Sequence, residues 1–320
     1  MFSTGFPTDG PTLGDIGEHA AIQVIVDAAP SSVNGDDAAV LMHASPNSRA
    51  VATTDMLVEG RHFRSDWTTP FQLGRKAIVQ NFADVEAMGA RPIAALLAIS
   101  APVHTPVAVV RGIAEGIASR CDEYAAELVG GDLTAGEQLV LSVTAIGSLG
   151  GNLPELSLDR ARVGQRVVAH GRIGYSAAGL ALLSSGRKIP DSLVPLVESH
   201  QAPCLTPGRG VIARAAGATA MTDNSDGLVQ DLQLIATRSG VGINVSSVSI
   251  QPDALLIEAG ELLGVDPWLW VLSGGEDHTL LGTTSGQAPA GFRSIGQVTK
   301  GDAVRIDGRS PKFGEGWHSF

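Results

Sequence analysis

The sequence predicts a two-domain α/β (α+β) protein, and three observations carry that expectation. The chain has 320 residues, of which 44% are hydrophobic, enough for about two domains with real cores. Short β-branched runs alternate along it with segments of helical period. Turn residues collect at Gly150-Gly151-Asn152-Leu153-Pro154, and strand and helix patterns restart beyond them, so the domains are expected at 1–150 and 151–320.

Residues 49–55 read as a buried strand ending in a carboxylate, and 92–100 and 138–147 as further strands. Between them, 73–88 is expected to be helical, with Ile78, Phe82 and Val85 on one face. Lys76, Gln80 and Asp84 fall at i, i+4 spacing on another, so Asp84 is expected to point away from the core stripe. A second helix is expected over 106–120, apolar at Val110, Ile113 and Ile117, leading through Tyr124 into a short strand that ends at Gly130-Gly131-Asp132. In the second half, 166–170, 219–223, 241–245 and 279–284 read as strands, and 176–184, 228–238 and 253–263 as helices. A hairpin is expected over 294–306.

The formal charge is −11, the pI is near 5.1, and the only lysines are Lys76, Lys188, Lys300 and Lys312. Phosphate-backbone binding needs a basic stripe, so nucleic acid is not an expected partner. Cys121 and Cys204 have neither metal-ligand spacing nor a disulfide framework, and the N-terminus has no signal-peptide pattern, which points to the cytoplasm. The most apolar stretch, 92–103, falls short of the roughly 20 residues a spanning helix requires, so no membrane segment is expected.

Seven aspartates stand in five short segments rich in glycine or threonine: Gly35-Asp36-Asp37, Thr53-Thr54-Asp55, Asn81-Phe82-Ala83-Asp84, Gly130-Gly131-Asp132 and Asp223-Asn224-Ser225-Asp226-Gly227. Crowded carboxylates are costly without cations, and hard oxygen donors favour Mg²⁺. Net negative charge would repel a phosphate ester unless bound cations invert the local field. A nucleotide with magnesium is therefore the expected ligand. There is no phosphate loop, no complete dinucleotide fingerprint and no kinase catalytic-loop signature, so phosphate must be held by another device. Each segment alone has a plain alternative: a turn at Asp36-Asp37, a strand-end cap at Asp55, an N-cap at Asn224-Ser225-Asp226, a solvated helix face at Asp84.

Taken together, these segments, with Thr53 to Phe63, Asn81 to Ala90 and Ser273 to Asp277, resemble the thiamine-monophosphate kinase family in its motif order, from about Gly14 to Trp317. The resemblance implies a two-domain aminoimidazole ribonucleotide (AIR) synthetase-like (PurM-like) fold, with mixed sheets flanked by helices. It implies ATP- and Mg²⁺-dependent phosphorylation of thiamine monophosphate to thiamine diphosphate, the last step in making that compound. The N-terminal domain would bind metal and nucleotide and join two copies into a homodimer, and the C-terminal domain would complete the ATP and substrate site. Carried over by motif, several Mg²⁺ ions would be held by Asp37, Thr53, Thr54, Asp55, Asp84, Asp132, Asp223 and Asp226. ATP would be contacted by Gly131, Asp132, Ser225 and Tyr124. The segment Asp159-Arg160-Ala161-Arg162-Val163-Gly164 is shorter than the family's Arg-x-Gly-Ala run. Arg160 is the choice for the nucleotide arginine, with Arg162 left open. His62, Glu276 and Trp317 would line the thiamine site, where Glu276 faces a thiazolium cation and Trp317 offers an aromatic face.

A phosphomonoester acceptor has a second pKa of about 6 and is largely ionised at neutral pH, so no catalytic general base or covalent nucleophile is expected. Two relatives of the fold are set aside on their cysteines. Selenophosphate synthetase would want a reactive one in a Gly-rich N-terminal segment, and the hydrogenase-maturation relative one in its tail, whereas this chain ends His318-Ser319-Phe320. Aminoimidazole ribonucleotide synthetase and a non-catalytic magnesium-nucleotide sensor remain as alternatives.

Overall fold

The computed structural model describes residues 5–30 and 47–314. The described chain divides into two compact units. One runs up to Val85 and includes Arg91–Gly151; the other takes Glu86–Ala90 and everything from Asn152 on.

The first unit contains α1 (Leu13–Ile16), α2 (Glu18–Ala28), β1 (Arg49–Val58), most of α3 (Pro70–Ala87), β2 (Arg91–Ala101), α4 (Val107–Tyr124), β3 (Glu127–Ala135) and β4 (Val140–Leu149). Its four strands form one sheet in the order β1-β4-β2-β3, antiparallel except for the parallel β2–β3 pair. The predicted strands are all present: pairing carries β1 on to Val58 and β3 on past Asp132 to Ala135, β4 keeps the expected length two residues further on, and residues 49–55, expected to be buried, are exposed or half-buried because β1 lies at the edge of the sheet. On α3, Ile78, Phe82 and Val85 are fully buried as the pattern requires, but so are Lys76, Asn81 and Glu86. The helix is enclosed on nearly all sides, and Lys76 lies inside the protein rather than on a solvated face. Tyr124 closes α4 instead of following it, and its buried ring meets Phe82 edge-on at 4.9 Å between centroids, an arrangement aromatic quadrupoles favour.

The second unit contains β5 (Arg166–His170), α5 (Tyr175–Ser184), α6 (Val194–Gln201), α7 (Arg209–Ala215), β6 (Ala218–Asp223), α8 (Leu228–Ser239), β7 (Gly242–Val245), α9 (Ala254–Leu263), α10 (Trp268–Ser273), β8 (Leu280–Thr284), β9 (Arg293–Thr299) and β10 (Val304–Ile306). Six strands form a mixed sheet in the order β10-β7-β9-β5-β8-β6. Its core includes Val167 and Ala169 of β5, Ile243 and Val245 of β7, and Leu232 and Ile235 of α8. Asp253 caps α9 by accepting the N–H groups of Leu255 and Leu256, as its residue type favours.

The expected hairpin over 294–306 is not formed. β9 pairs antiparallel with β7 and β10 pairs parallel with it, so β7 lies between the two. The buried side chains of Ile243 and Val245 make β7 a central strand, and a central strand takes partners on both edges.

Candidate active site

In the first unit, alternation along β1 places Thr53 and Asp55 half-buried on one face and Thr54 and Met56 exposed on the other. Asp84 reaches the first face from α3: Thr53 Oγ1 donates to Asp84 Oδ2 at 2.7 Å. This removes the plain alternative for Asp84, since its carboxylate is aimed at the strand that carries Asp55. Thr54 turns away. Its hydroxyl donates to the Val143 carbonyl at 3.1 Å and accepts from Thr144 at 3.0 Å, so only its backbone is on the strand segment that carries Thr53 and Asp55.

His62 sits in the turn after β1. The Val58 N–H donates to its Nδ1 at 3.0 Å, which places the ring proton on Nε2 and makes that atom a donor. Lys76 Nζ, buried, donates to the His62 carbonyl at 3.3 Å. Gly131 and Asp132 are exposed on β3, opposite Leu97 and Ala98. A Cβ at Gly131 would run into the Leu97 carbonyl oxygen, so glycine there is what the close strand approach requires. Tyr124 is buried against Phe82, and its ring belongs to the core of this unit.

In the second unit, two loops are joined strand to strand. The Asn224 N–H donates to the Thr279 carbonyl at 2.8 Å, the His278 N–H to Asn224 at 3.1 Å, and the Glu276 N–H to Ser225 at 2.7 Å. Asp277 is buried and takes the N–H groups of Ser176 at 2.9 Å and Gly174 at 2.5 Å at the start of α5. Burial pushes its carboxyl up to about 7 despite those donors. Gly275 lies so close to Ser225 that a Cβ would collide with its carbonyl oxygen. Glu276 and His278 hold φ of +61° and +48°, a region that costs a non-glycine residue roughly 1–3 kcal/mol and persists where its surroundings enforce it.

The acidic loop itself is built around Asp223. One of its oxygens accepts from Ser225 Oγ at 3.0 Å and the other meets His278 Nδ1 at 3.0 Å. No side chain of Asn224, Ser225 or Asp226 caps α8, whose N-cap is Gly227. Instead Asp231, in the first turn of α8, accepts the N–H groups of Asp226 at 3.2 Å and Gly227 at 3.0 Å. Burial pushes the Asp231 carboxyl up to about 9, and the nearby Asp223 and Asp226 carboxylates add to it.

Arg160 is committed to Glu155, donating to its carbonyl at 2.6 Å and its carboxylate at 2.5 Å. Arg162 donates to the carbonyls of Asp159 and Ala161 at 3.1 and 2.9 Å. Asp37 and Trp317 lie outside the described residues. Sequence reasoning assigned no role to Lys76, Ser176, His200, Asp231, Asp277 or His278, all buried. Asp231 is within reach of sequence spacing, five residues after Asp226; for the others the signal is geometric, because their contacts join segments distant in sequence.

The fold and these loops define the class. Residues 35–149 match the family described as AIR synthase related protein, N-terminal domain. Over 326 aligned residues the chain is 66% identical to the thiamine-monophosphate kinase of Corynebacterium glutamicum, covering 99% of this chain and 98% of that one. It is 44% identical to that of Mycobacterium tuberculosis, covering 98% and 94%. The structure of AaThiL complexed with AMPPCP and TMP superimposes with a TM-score of 0.78 at 32% identity, over 97% of this chain and 99% of that one. The Stenotrophomonas maltophilia thiamine-monophosphate kinase does so at 0.78 and 31% identity, over 91% and 95%. The chain belongs to the thiamine-monophosphate kinase family.

Proposed function

We propose that this protein transfers the γ-phosphoryl group of ATP to thiamine monophosphate, giving thiamine diphosphate and ADP. The observation that carries the reading is the junction in the second unit. The Glu276 N–H on the Ser225 carbonyl joins the loop that carries Asp223 and Asp226 to a loop whose half-buried carboxylate suits a cationic ring. An acceptor that is both a phosphate and a thiazolium needs that pairing.

The residues fit Mg²⁺ as the accompanying cation. Thr53, Asp55 and Asp84 in the first unit, and Asp223 and Asp226 in the second, are hard oxygen donors of the kind Mg²⁺ takes. Among the described residues no group of three or more His, Cys, Asp or Glu side chains stands ready to hold a metal. Phosphate oxygens and water would therefore complete any coordination shell, as Mg²⁺ commonly accepts. Bound there, Mg²⁺ supplies charge neutralisation between two polyanions. Asp132 and Asp37 would add further carboxylates, and Arg160 would exchange Glu155 for nucleotide phosphate.

The chain's own part is to bind and orient. By the family resemblance, Glu276, His62 through its Nε2–H, and Trp317 would each contact the acceptor, and Gly131 and Ser225 would each contact nucleotide phosphate. The ionised acceptor oxygen attacks phosphorus in line, so neither general base nor phosphoenzyme is required. The Cys121 thiol is pushed up to about 12, chiefly by burial, and makes no nucleophile. ATP turnover over a panel of acceptors tests the reading: thiamine monophosphate should be phosphorylated in preference to thiamine and to formylglycinamidine ribonucleotide, and turnover with the last alone would overturn it.

We also propose a homodimer through the first unit and residence in the cytoplasm. Met56 and Leu96, 54% and 36% exposed, share by register the sheet face turned away from Asp84, and a second copy would cover them. No helix of the described residues is long and apolar enough to cross a membrane. Sedimentation equilibrium tests the dimer: a monomer at micromolar concentration would refute it.

A further inference from the structure

Glu276 has a fixed backbone and a side chain that still needs holding. The left-handed φ of +61° is enforced from both sides by the Ser225 carbonyl and by Asp277 on the start of α5. Beyond Cα, however, a glutamate has three rotatable bonds, and an unrestrained carboxylate loses rotamer entropy when a ligand captures it. The structure supplies a restraint. His200, on the last turn of α6, is 7% exposed, and its Nδ1 lies 3.3 Å from Glu276 Oε2. The same nitrogen lies 3.1 Å from the hydroxyl of Ser176, which is fully buried at the start of α5.

We infer that His200 is a positioning residue for the acceptor site, holding the Glu276 carboxylate toward a cationic heteroaromatic ring while Ser176 fixes the imidazole. This rests on the proposed role of Glu276 in binding thiamine monophosphate. Nδ1 carries one proton at most. With that proton in place the ring donates to Glu276 Oε2, and the Ser176 oxygen lies beside it as a second acceptor. With Nδ1 bare, the Ser176 hydroxyl donates to it and Glu276 receives nothing from this nitrogen. The Nδ1–H form is therefore the one that presents Glu276. A histidine kept only for packing has no need to place this nitrogen against a carboxylate that remains 28% exposed. The direction of the contact, from a buried ring outward to a reachable anion, is that of a support behind a binding group.

The test is steady-state kinetics of the full-length enzyme at saturating ATP with thiamine monophosphate varied, and the converse, on four variants. His200→Leu removes the donor, and His200→Asn keeps an N–H near the position of Nδ1. Ser176→Ala removes the support, and Glu276→Gln probes the underlying reading. His200→Leu should raise KM for thiamine monophosphate about tenfold, the effect of one hydrogen bond to a charged group. Its kcat and KM for ATP should change less than about threefold, the pattern of lost uniform binding. His200→Asn should recover most of the loss, and Ser176→Ala should raise the same KM about threefold. If Glu276→Gln raises that KM while His200→Leu does not, the inference fails and the acceptor site stands. If Glu276→Gln leaves it unchanged, the acceptor-site reading fails and takes the inference with it. Equal losses for both substrates in His200→Leu, or no recovery in His200→Asn, would make His200 a packing residue and overturn the inference; should His200→Leu not fold, an unchanged KM in Ser176→Ala would do the same.

Discussion

Replacing Glu86 by glutamine should erase a pH dependence of stability that this carboxyl imposes. Glu86 is fully buried on the last turn of α3. Its two oxygens accept the N–H groups of Gly208 at 2.6 Å and Gly210 at 2.5 Å, at the start of α7. Burial pushes its pKa from 4.5 up to about 7, opposed by those two donors and by Arg209. Between the two values the folded chain keeps a proton that the unfolded chain has lost. Stability therefore falls as pH rises from about 4.5 to about 7 and is level above. At about 1.4 kcal/mol per pH unit, the fall attributable to Glu86 is roughly 3 kcal/mol. Glutamine does not titrate, and its amide NH₂ would face one of the two backbone donors, a mismatch worth about 1–3 kcal/mol at every pH. Asp231 and Asp277, also raised, titrate in the same direction, so the observable is the difference between the two proteins. In urea denaturation, wild type should be the more stable at pH 5, and its advantage should shrink by roughly 2 kcal/mol by pH 7.5, since part of the fall already lies below pH 5. A gap that stays constant with pH would refute the burial argument.

Two further outcomes follow from the site. Asp84→Asn should abolish most turnover with the circular dichroism spectrum unchanged, because the carboxylate facing Thr53 and Asp55 is lost while the helix around it stays buried; near wild-type activity at saturating Mg²⁺ would remove Asp84 from the metal site. Gly275→Ala should cost several kcal/mol of stability or abolish activity, because its methyl group would meet the Ser225 carbonyl oxygen; an unperturbed urea midpoint and unchanged kcat would show that the two loops are not rigidly joined.

The strands and long helices of both units were legible in the sequence because each has a buried face with its own period. Val110, Ile113 and Ile117 announce α4, and all three are fully buried. What period cannot show is which strand lies beside which. Residues 294–306 read as a hairpin from local turn chemistry, yet β7, distant in sequence, is inserted between their two strands. The short helices α1, α6, α7 and α10 carried no assignment either, since one or two turns beside glycine and proline leave little pattern to read, and neither did the eleven-residue α2. At the site, the acidic segments were legible as motifs, and the partners that orient them were not. Lys76 sits at solvent spacing on α3 but is buried. Thr54 stands between Thr53 and Asp55, yet the pleat turns its side chain to the opposite face. His200 and Ser176 gain meaning only where α5 and α6 bring them to Glu276.

The central claim is direct transfer of the ATP γ-phosphoryl group to thiamine monophosphate. Incubation with ATP made chiral by oxygen isotopes and sulfur at the γ-phosphorus, followed by analysis of the product, tests it in one measurement. The account predicts that the label appears in the terminal phosphoryl group of thiamine diphosphate with configuration inverted, the outcome of a single displacement. Retained configuration, or label that first accumulates on the protein with ATP alone and is then chased into product, would contradict it.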